Sequence, residues 1–430
     1  RAISGAIPLL VQMTYAAALG MGGELTLTLW TTVLGWTAPL ILGLICGRAI
    51  NRSAGLAIAT ILLTTPAFLY GGGNGQVEVK CAAFVLVAVW ALIEAKDEIS
   101  MPLYAIAGLS AGFFIGAKYY GLIFAGACGL LILLRKGGMK PAVVFGAAAL
   151  TAGFQWYFWN WFHTGDPVFP VLFNLLQYPD TEFWTGEFGR FFSENMASGE
   201  LPLDRSIRNW ILYPVFSIFN VVPGIESGRT GFGALIAITF PFALIAIARR
   251  EVRQQQFMLP LAVFFIFFTV WFFSGTAQRT RHLAPVYPLL LLCFIPLAIA
   301  FASRGSNWKP LVFGLICIVT IQIAGQTIYS LNYIRYVFSN ETREEFLVRN
   351  VPGANGALWI NENLPPDVRV AFMNRQLAYI IERRTFTLHP YIQKLVDARP
   401  ATESKSIGFP SLLDGRSRCA MAKYSDGQIQ

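Results

Sequence analysis

Charge is scarce in this chain. Only 13% of its 430 residues are Asp, Glu, Lys or Arg, while 55% are hydrophobic and the mean hydropathy is +0.53. So few charges cannot cover a soluble protein of this length, and repeated apolar runs near twenty residues point to a membrane instead. Histidine is rarer still. His163, His282 and His389 are scattered, which excludes an HExxH zinc site. No GxSxG elbow or Ser-His-Asp order occurs, so nothing suggests a serine hydrolase. The cysteines have no CxxC spacing. Cys46, Cys81, Cys128, Cys293 and Cys317 lie inside apolar runs as small packing residues, and Cys419 is alone in a polar tail. Gly71-Gly72-Gly73-Asn74-Gly75 is not followed by the lysine and helix of a phosphate-cradling loop. The net charge is +9, yet there is no basic helix or aromatic-interleaved basic patch, so nucleic acid is not a partner. An inverted repeat of the transporter kind is also missing.

What is present is a series of ten apolar runs, at about 26–47, 54–70, 79–95, 103–117, 119–134, 141–160, 231–248, 257–274, 283–302 and 310–330. They predict an all-α polytopic membrane protein of about ten passes. Residues 1–24 read as an interfacial or short packed helix ending in a Gly-rich turn. The stretch Leu103–Leu134 is too long for one ordinary span and is interrupted by Lys118-Tyr119-Tyr120, so it predicts a short helical hairpin. Glycines at 108, 112 and 116 repeat every four residues and mark a face for close helix packing.

The basic residues test this count. Arg48, Arg52, Lys96, Arg135, Lys136, Lys140, Arg249, Arg250, Arg253, Arg304 and Lys309 all fall on one side only if 103–134 crosses twice. The positive-inside rule makes that side cytoplasmic and puts Lys118 on the other. The outer side then receives the GGGNGQVEVK turn, the 161–230 connection, residues 274–282 and the tail. The 161–230 connection is rich in aromatics, including Phe183, Trp184, Phe188, Trp210 and Tyr213, and reads as amphipathic segments on the outer leaflet. In the tail, residues 350–390 alternate helix, turn, strand, short helix and strand around Pro365-Pro366. The expected organisation is a transmembrane domain over 1–335 and a small outer α/β domain over 336–430.

The unusual polar residues collect in the outer turns: Gln76, Glu78 and Lys80; Lys118 and Tyr119; Asn160 with Asp166 in HTGDPVFP; and Gln278, Arg279, Arg281 and His282. Lys118 and Arg281, from separate turns, would together suit a phosphate at membrane level, with Glu78 as their counter-ion or a metal ligand. Blander readings stand beside these. Lys118, Arg279 and Arg281 also fit snorkelling or headgroup contacts, and Glu78 with Lys80 fits a solvated loop pair.

The order of these signals resembles the GT-C superfamily of membrane glycosyltransferases, in particular the bacterial branch related to aminoarabinose transferase and protein mannosyltransferases. TTPAFLYGGGNGQVEVKCAAF, GLSAGFFIGAKYYGLIF, NWFHTGDPVFP, QRTRHLAPVYPLLLL and WINENLPPDVRVAFM carry the resemblance. It implies transfer of a sugar from a polyprenyl-phosphate donor to a glycolipid, polysaccharide or protein on the outer face of the bacterial inner membrane. It implies Lys118, Arg281, Tyr119 and His282 as donor-phosphate ligands, Glu78, Gln76 and Asp166 as polar site residues, and membrane lipid as a partner. The family's catalytic Asp or Glu, and the divalent metal it can bind, belong to a first outer loop that would lie upstream of Arg1. On that expectation the chain alone is inactive, and Gln12 stands where close relatives would carry an acid. Two other functions remain open: a transporter or flippase for a lipid-linked or anionic solute, and a non-catalytic membrane scaffold.

Overall fold

The computed structural model describes residues 7–95, 100–135, 138–173, 175–180, 184–219, 221–227, 231–248, 255–302, 308–372, 375–387 and 419–420. Lys96, Lys136, Phe183, Arg249, Arg250, Arg253, Arg304 and His389 lie outside them, as does the tail beyond Thr387 apart from Cys419–Ala420. The chain divides into two compact units, Arg1–Thr327 and Ile328–Gln430, with the division inside a helix rather than after it.

The first unit is helical. Helix α1 (Leu10–Ala49) contains a kink where Gly22 and Gly23 leave helical geometry. Gly23 takes φ +66°, which costs glycine little. The Gly-rich turn expected there is thus a joint within one element. Helix α2 (Arg52–Thr64) is capped by the Asn51 side chain, which accepts from the Ala54 N–H at 2.9 Å. The apolar run continues into α3 (Pro66–Gly72), but the two helices bend by 72°. Pro66 explains the break: it has no N–H to donate and holds Thr65 in an extended conformation, φ −62° and ψ 132°.

Helices α4 (Glu78–Glu94), α5 (Met101–Ala117) and α6 (Tyr120–Leu133) follow. Lys118 separates α5 from α6 in an extended conformation, φ −158° and ψ 144°. Helix α7 (Met139–Gly153) continues through Phe154 into the aromatic α8 (Gln155–Thr164), with backbone hydrogen bonds on both sides of the joint. The glycine face of α5 packs on α7 as its spacing suggests. A Cβ on Gly108 would stand 2.3 Å from the Phe145 carbonyl oxygen, and one on Gly112 would stand 2.4 Å from that of Ala149. Gly116 instead faces Leu10 of α1.

The 161–230 connection forms α9 (Gly186–Glu200) and α10 (Ile207–Phe219). One face of α10 is built into the bundle: Tyr213 is fully buried and Trp210 stacks on Phe268 at 5.8 Å. Ile207, Ile211 and Phe219 remain exposed. The inward aromatic residues of this segment bury against neighbouring rings, Tyr213 on Trp271 at 5.3 Å among them. Helices α11 (Leu235–Ala248), α12 (Gln255–Ser274), α13 (Tyr287–Ala302) and α14 (Trp308–Phe338) complete the bundle.

Helix α13 is its centre, with every residue from His282 to Ala298 buried. A helix apolar on all sides is suited to that position. The Val312–Phe338 stretch of α14 is long and apolar, and none of its most apolar window is buried, as a lipid-facing span would be.

Each apolar run is largely helical. Among the described residues only α1 and Val312–Phe338 are long and apolar enough to cross a membrane alone, with α2–α3 as a bent third. The hairpin helices α5 and α6 have 17 and 14 residues, hence lengths of about 25 and 21 Å against a hydrocarbon core of roughly 30 Å.

In the second unit, α15 (Arg343–Asn350) starts with a capping box between Thr342 and Glu345. Helix α16 (Ala354–Asn363) is followed by β1 (Arg369–Phe372), a 3-10 turn at Arg375–Tyr379 and β2 (Arg384–Thr387). The strands pair in parallel, with Arg369 opposite Arg384, and a two-residue β3 (Cys419–Ala420) pairs with the other side of β1. Ala357, Ile360, Val370, Ile380 and Ile381 form the core of this small sheet-and-helix unit.

Candidate functional site

The polar residues of the first unit meet at the ends of several helices. Glu78 is the first residue of α4, where the helix dipole favours a carboxylate, and its side chain is only 7% exposed. Its Oε1 stands 3.4 Å from Lys118 Nζ, presented by the α5–α6 break, and 3.9 Å from Arg281 Nε. Arg281 belongs to the 3-10 turn Thr280–Leu283 that leads into α13. Its other nitrogen, Nη1, lies 3.7 Å from Glu226. Glu226 also accepts from Arg279, which grips both carboxylate oxygens of Glu200 at the end of α9. The result is a chain of alternating charge: Lys118, Glu78, Arg281, Glu226, Arg279, Glu200.

Backbone bonds fix the loop that carries the arginines. Tyr213 donates its hydroxyl to the Gln278 carbonyl at 2.6 Å, and Gln278 N–H donates to the Glu200 carbonyl at 2.8 Å. The Gln278 side-chain oxygen accepts from Leu203 N–H at 3.0 Å, and Arg205 donates to the Gly275 carbonyl at 2.7 Å. The segment around α9 and α10 is therefore stitched to the 275–282 loop.

The two cations facing Glu78 are held loosely. Charge-assisted bonds normally span about 2.7–2.9 Å, whereas these contacts are 3.4 and 3.9 Å. Arg281 Nε has no hydrogen-bond partner. Both cations thus retain donor capacity, and both side chains are about 30% exposed.

The other expected site residues are engaged elsewhere. Tyr119 donates to the Phe169 carbonyl at 2.7 Å, and Asn160 donates to the Tyr119 hydroxyl at 3.2 Å. Asp166 is buried and accepts from Val168 and Leu172 N–H groups at 2.9 and 3.0 Å, so its carboxylate holds its own turn. Gln76 N–H donates to the Asn74 side chain. His282 is buried with its Nδ1 3.3 Å from the Tyr120 hydroxyl. Burial pushes the imidazole down to about 3; Glu78 opposes this, while Arg281 and Lys118 reinforce it. His282 is neutral at physiological pH and offers no charge to an anion. Lys80 does not pair with Glu78 as a solvated loop couple. It is buried and caps the Gly71 and Asn74 carbonyls at 2.5 and 2.6 Å.

A divalent metal does not fit these residues. Among the described residues no group of three or more His, Cys, Asp or Glu could hold one. Glu78, Glu200 and Glu226 are already matched by cations.

No family model and no curated protein matches the chain. Among solved structures, ArnT from Cupriavidus metallidurans in the apo state is similar over 97% of this chain and 82% of that one, with a TM-score of 0.58 at 13% identity. The chain shares the fold of that protein. At that identity the likeness covers the backbone arrangement and leaves the site to be argued from its own residues. Glu200, Glu226 and Tyr213 were not legible in the sequence as site residues. The available signal was two acids flanking an aromatic loop, in a chain whose outer turns otherwise gather cations.

Proposed function

We propose that the chain is a membrane glycosyltransferase of the GT-C type that uses a polyprenyl-phosphate-linked sugar. Lys118 and Arg281 hold the donor phosphate, and the acceptor is a hydroxyl of a glycolipid, polysaccharide or protein. The observation that carries this reading is the pair of cations held only loosely at 3.4 and 3.9 Å on either side of Glu78. When the glycosyl–oxygen bond breaks, its electron pair passes to the phosphate oxygen. Two cations drawn to that oxygen stabilise the developing charge. Glu78 keeps Lys118 and Arg281 together against their mutual repulsion. The GT-C-like fold supports the reaction class, and the grouping of ionisable residues at helix ends favours an enzyme over a transporter with charges at mid-membrane. The bacterial inner membrane, with the C-terminal unit on the periplasmic side, is the location this reading implies. The acid or base that activates the acceptor is not assigned to any residue of this chain.

The test is binding of an isotopically labelled polyprenyl-phosphate sugar to the purified full-length protein in nanodiscs, competed with sugar-free polyprenyl phosphate. Saturable binding that the competitor displaces supports the reading. Absence of binding contradicts it.

A further inference from the structure

Helix α4 delivers Glu78 to the cation site, yet its first turn has no side-chain cap. Val77 stands at the N-cap and offers it no hydrogen bond. A residue inside the turn holds it instead. Lys80 is only 3% exposed and donates to the Gly71 and Asn74 carbonyls at 2.5 and 2.6 Å.

A lysine is an unfavourable choice for that position. A cation is repelled by a helix N-terminus, and a buried one persists only where hydrogen bonds or opposite charges satisfy it. Lys80 finds both outside the backbone of its own helix. Gly71 lies in the last turn of α3, whose carbonyl end favours a cation, and Glu78 acts on Lys80 as an opposite charge.

The turn that Lys80 grips is itself anchored. A Cβ on Gly71 would stand 2.6 Å from Val79 Cγ2, and one on Gly35 of α1 would stand 2.4 Å from the Gly72 carbonyl oxygen. The Asn74 side chain accepts from the Gln76 N–H at 2.8 Å. The glycine-rich turn is thus a packed block, and Lys80 ties the start of α4 to it.

That tie sets where Glu78 points. Residues two apart on an α-helix project about 200° apart around its axis. Glu78 and Lys80 therefore leave α4 on roughly opposite sides, and pinning one fixes the rotation that aims the other. At this setting Glu78 stops 3.4 Å from Lys118 and 3.9 Å from Arg281. Closed charge-assisted bonds would measure about 2.7–2.9 Å.

We propose that Lys80 is a positioning residue that keeps Glu78 from closing on Lys118 and Arg281, an inference that rests on the donor reading above for the identity of the anion those cations await. Held back, the carboxylate keeps the two cations near each other. Released, it competes with the phosphate for them.

Acetylation of Lys118 in the full-length protein in nanodiscs, read by mass spectrometry, tests this without a bound donor. Lys80→Met frees the start of α4, so Glu78 closes on Lys118, and an ion-paired ammonium gives up its proton less readily. Acetylation then slows about three- to fivefold, the effect of tightening one part-exposed ion pair. Affinity for a polyprenyl-phosphate sugar falls by a similar factor. Lys80→Gln, which keeps an amide donor, shows a smaller change in the same direction and covers the case in which Lys80→Met does not fold. In a Glu78→Gln background neither Lys80 variant changes either readout, because no carboxylate remains to close. A merely structural lysine would act in both backgrounds.

Equal Lys118 acetylation in the wild type and both Lys80 variants overturns the positioning role and leaves the donor reading intact. An undiminished effect in the Glu78→Gln background overturns it as well, since Lys80 would then not act through Glu78. Slower acetylation as expected, in a wild-type protein that retains no polyprenyl-phosphate sugar, overturns the donor reading and leaves the hold of Lys80 on Glu78 in place.

Discussion

Lys118 Nζ stands 3.4 Å from Glu78 Oε1, although forty residues and two helices separate them in the chain. The relationship depends on two helix ends. Glu78 begins α4 and Lys118 interrupts the 103–134 hairpin, so each charge sits where a helix stops and neither is surrounded by hydrocarbon.

Removing the carboxylate tests that relationship. Glu78→Gln removes the carboxylate that Lys118 and Arg281 share, leaving Arg281 only its 3.7 Å contact with Glu226, and should lower stability by about 2 kcal/mol, less than the roughly 3–5 kcal/mol of a fully buried broken pair. The measurement is the thermal midpoint in nanodiscs. Added polyprenyl phosphate should recover more of that midpoint in Glu78→Gln than in the wild type. An unchanged midpoint would mean that the carboxylate does not hold the two cations.

Histidine 282 gives a pH signature. Its folded value of about 3 lies below its ordinary value of 6.5, first because of burial and then because of Arg281 and Lys118, with Glu78 opposing. The unfolded chain therefore takes up a proton below about 6.5 while the folded one resists until about 3. Stability is fully present above 6.5 and falls as pH drops through that window, by up to about 1.4 kcal/mol per pH unit. Denaturation midpoints from pH 7 to pH 4 should decline in the wild type and decline less in His282→Gln. Equal slopes would contradict the buried neutral ring.

The glycine face is tested by adding a methyl group. Gly108→Ala and Gly112→Ala would each place a Cβ within 2.4 Å of a carbonyl oxygen of α7 and should cost about 1–3 kcal/mol. Gly129→Ala in α6 meets nothing within 4 Å and serves as the control, neutral or slightly stabilising. A similar loss in all three variants would remove the close-packing argument.

Arg279 ties α9 and the turn after α10 to the loop that carries Arg281. Arg279→Ala should raise backbone hydrogen exchange across 201–219 and leave that of α4 and α5 unchanged, as read by mass spectrometry. Unaltered exchange in that segment would mean that the Tyr213 and Gln278 bonds hold it alone.

Much of this arrangement could be read from the sequence, for identifiable reasons. The break at Lys118 was legible because charge is costly in lipid and because the basic loops share a side only if the stretch turns back. The α5–α7 contact was legible from glycines at 108 and 112, since their spacing is local. The bend at Pro66 was written in the sequence but masked by the apolar run around it. Glu200 and Glu226 could not be found in this way. Their partner, Arg279, is more than fifty residues away, and no local period reports a pairing across a connection that folds back on the bundle. The burial of His282 was not legible either, because it follows from the packing around the start of α13, which only the assembled core fixes.

The central claim is that one phosphate lies between Lys118 and Arg281. The most direct measurement is the affinity of purified full-length protein for a polyprenyl-phosphate sugar in wild type, Lys118→Ala and Arg281→Ala, with folding checked by thermal midpoint. The account expects each variant to lose at least about tenfold in affinity, the cost of roughly 1.4 kcal/mol for a lost charge-assisted contact, while remaining folded. Equal affinity in all three proteins would contradict it and return both cations to the role of interfacial anchors.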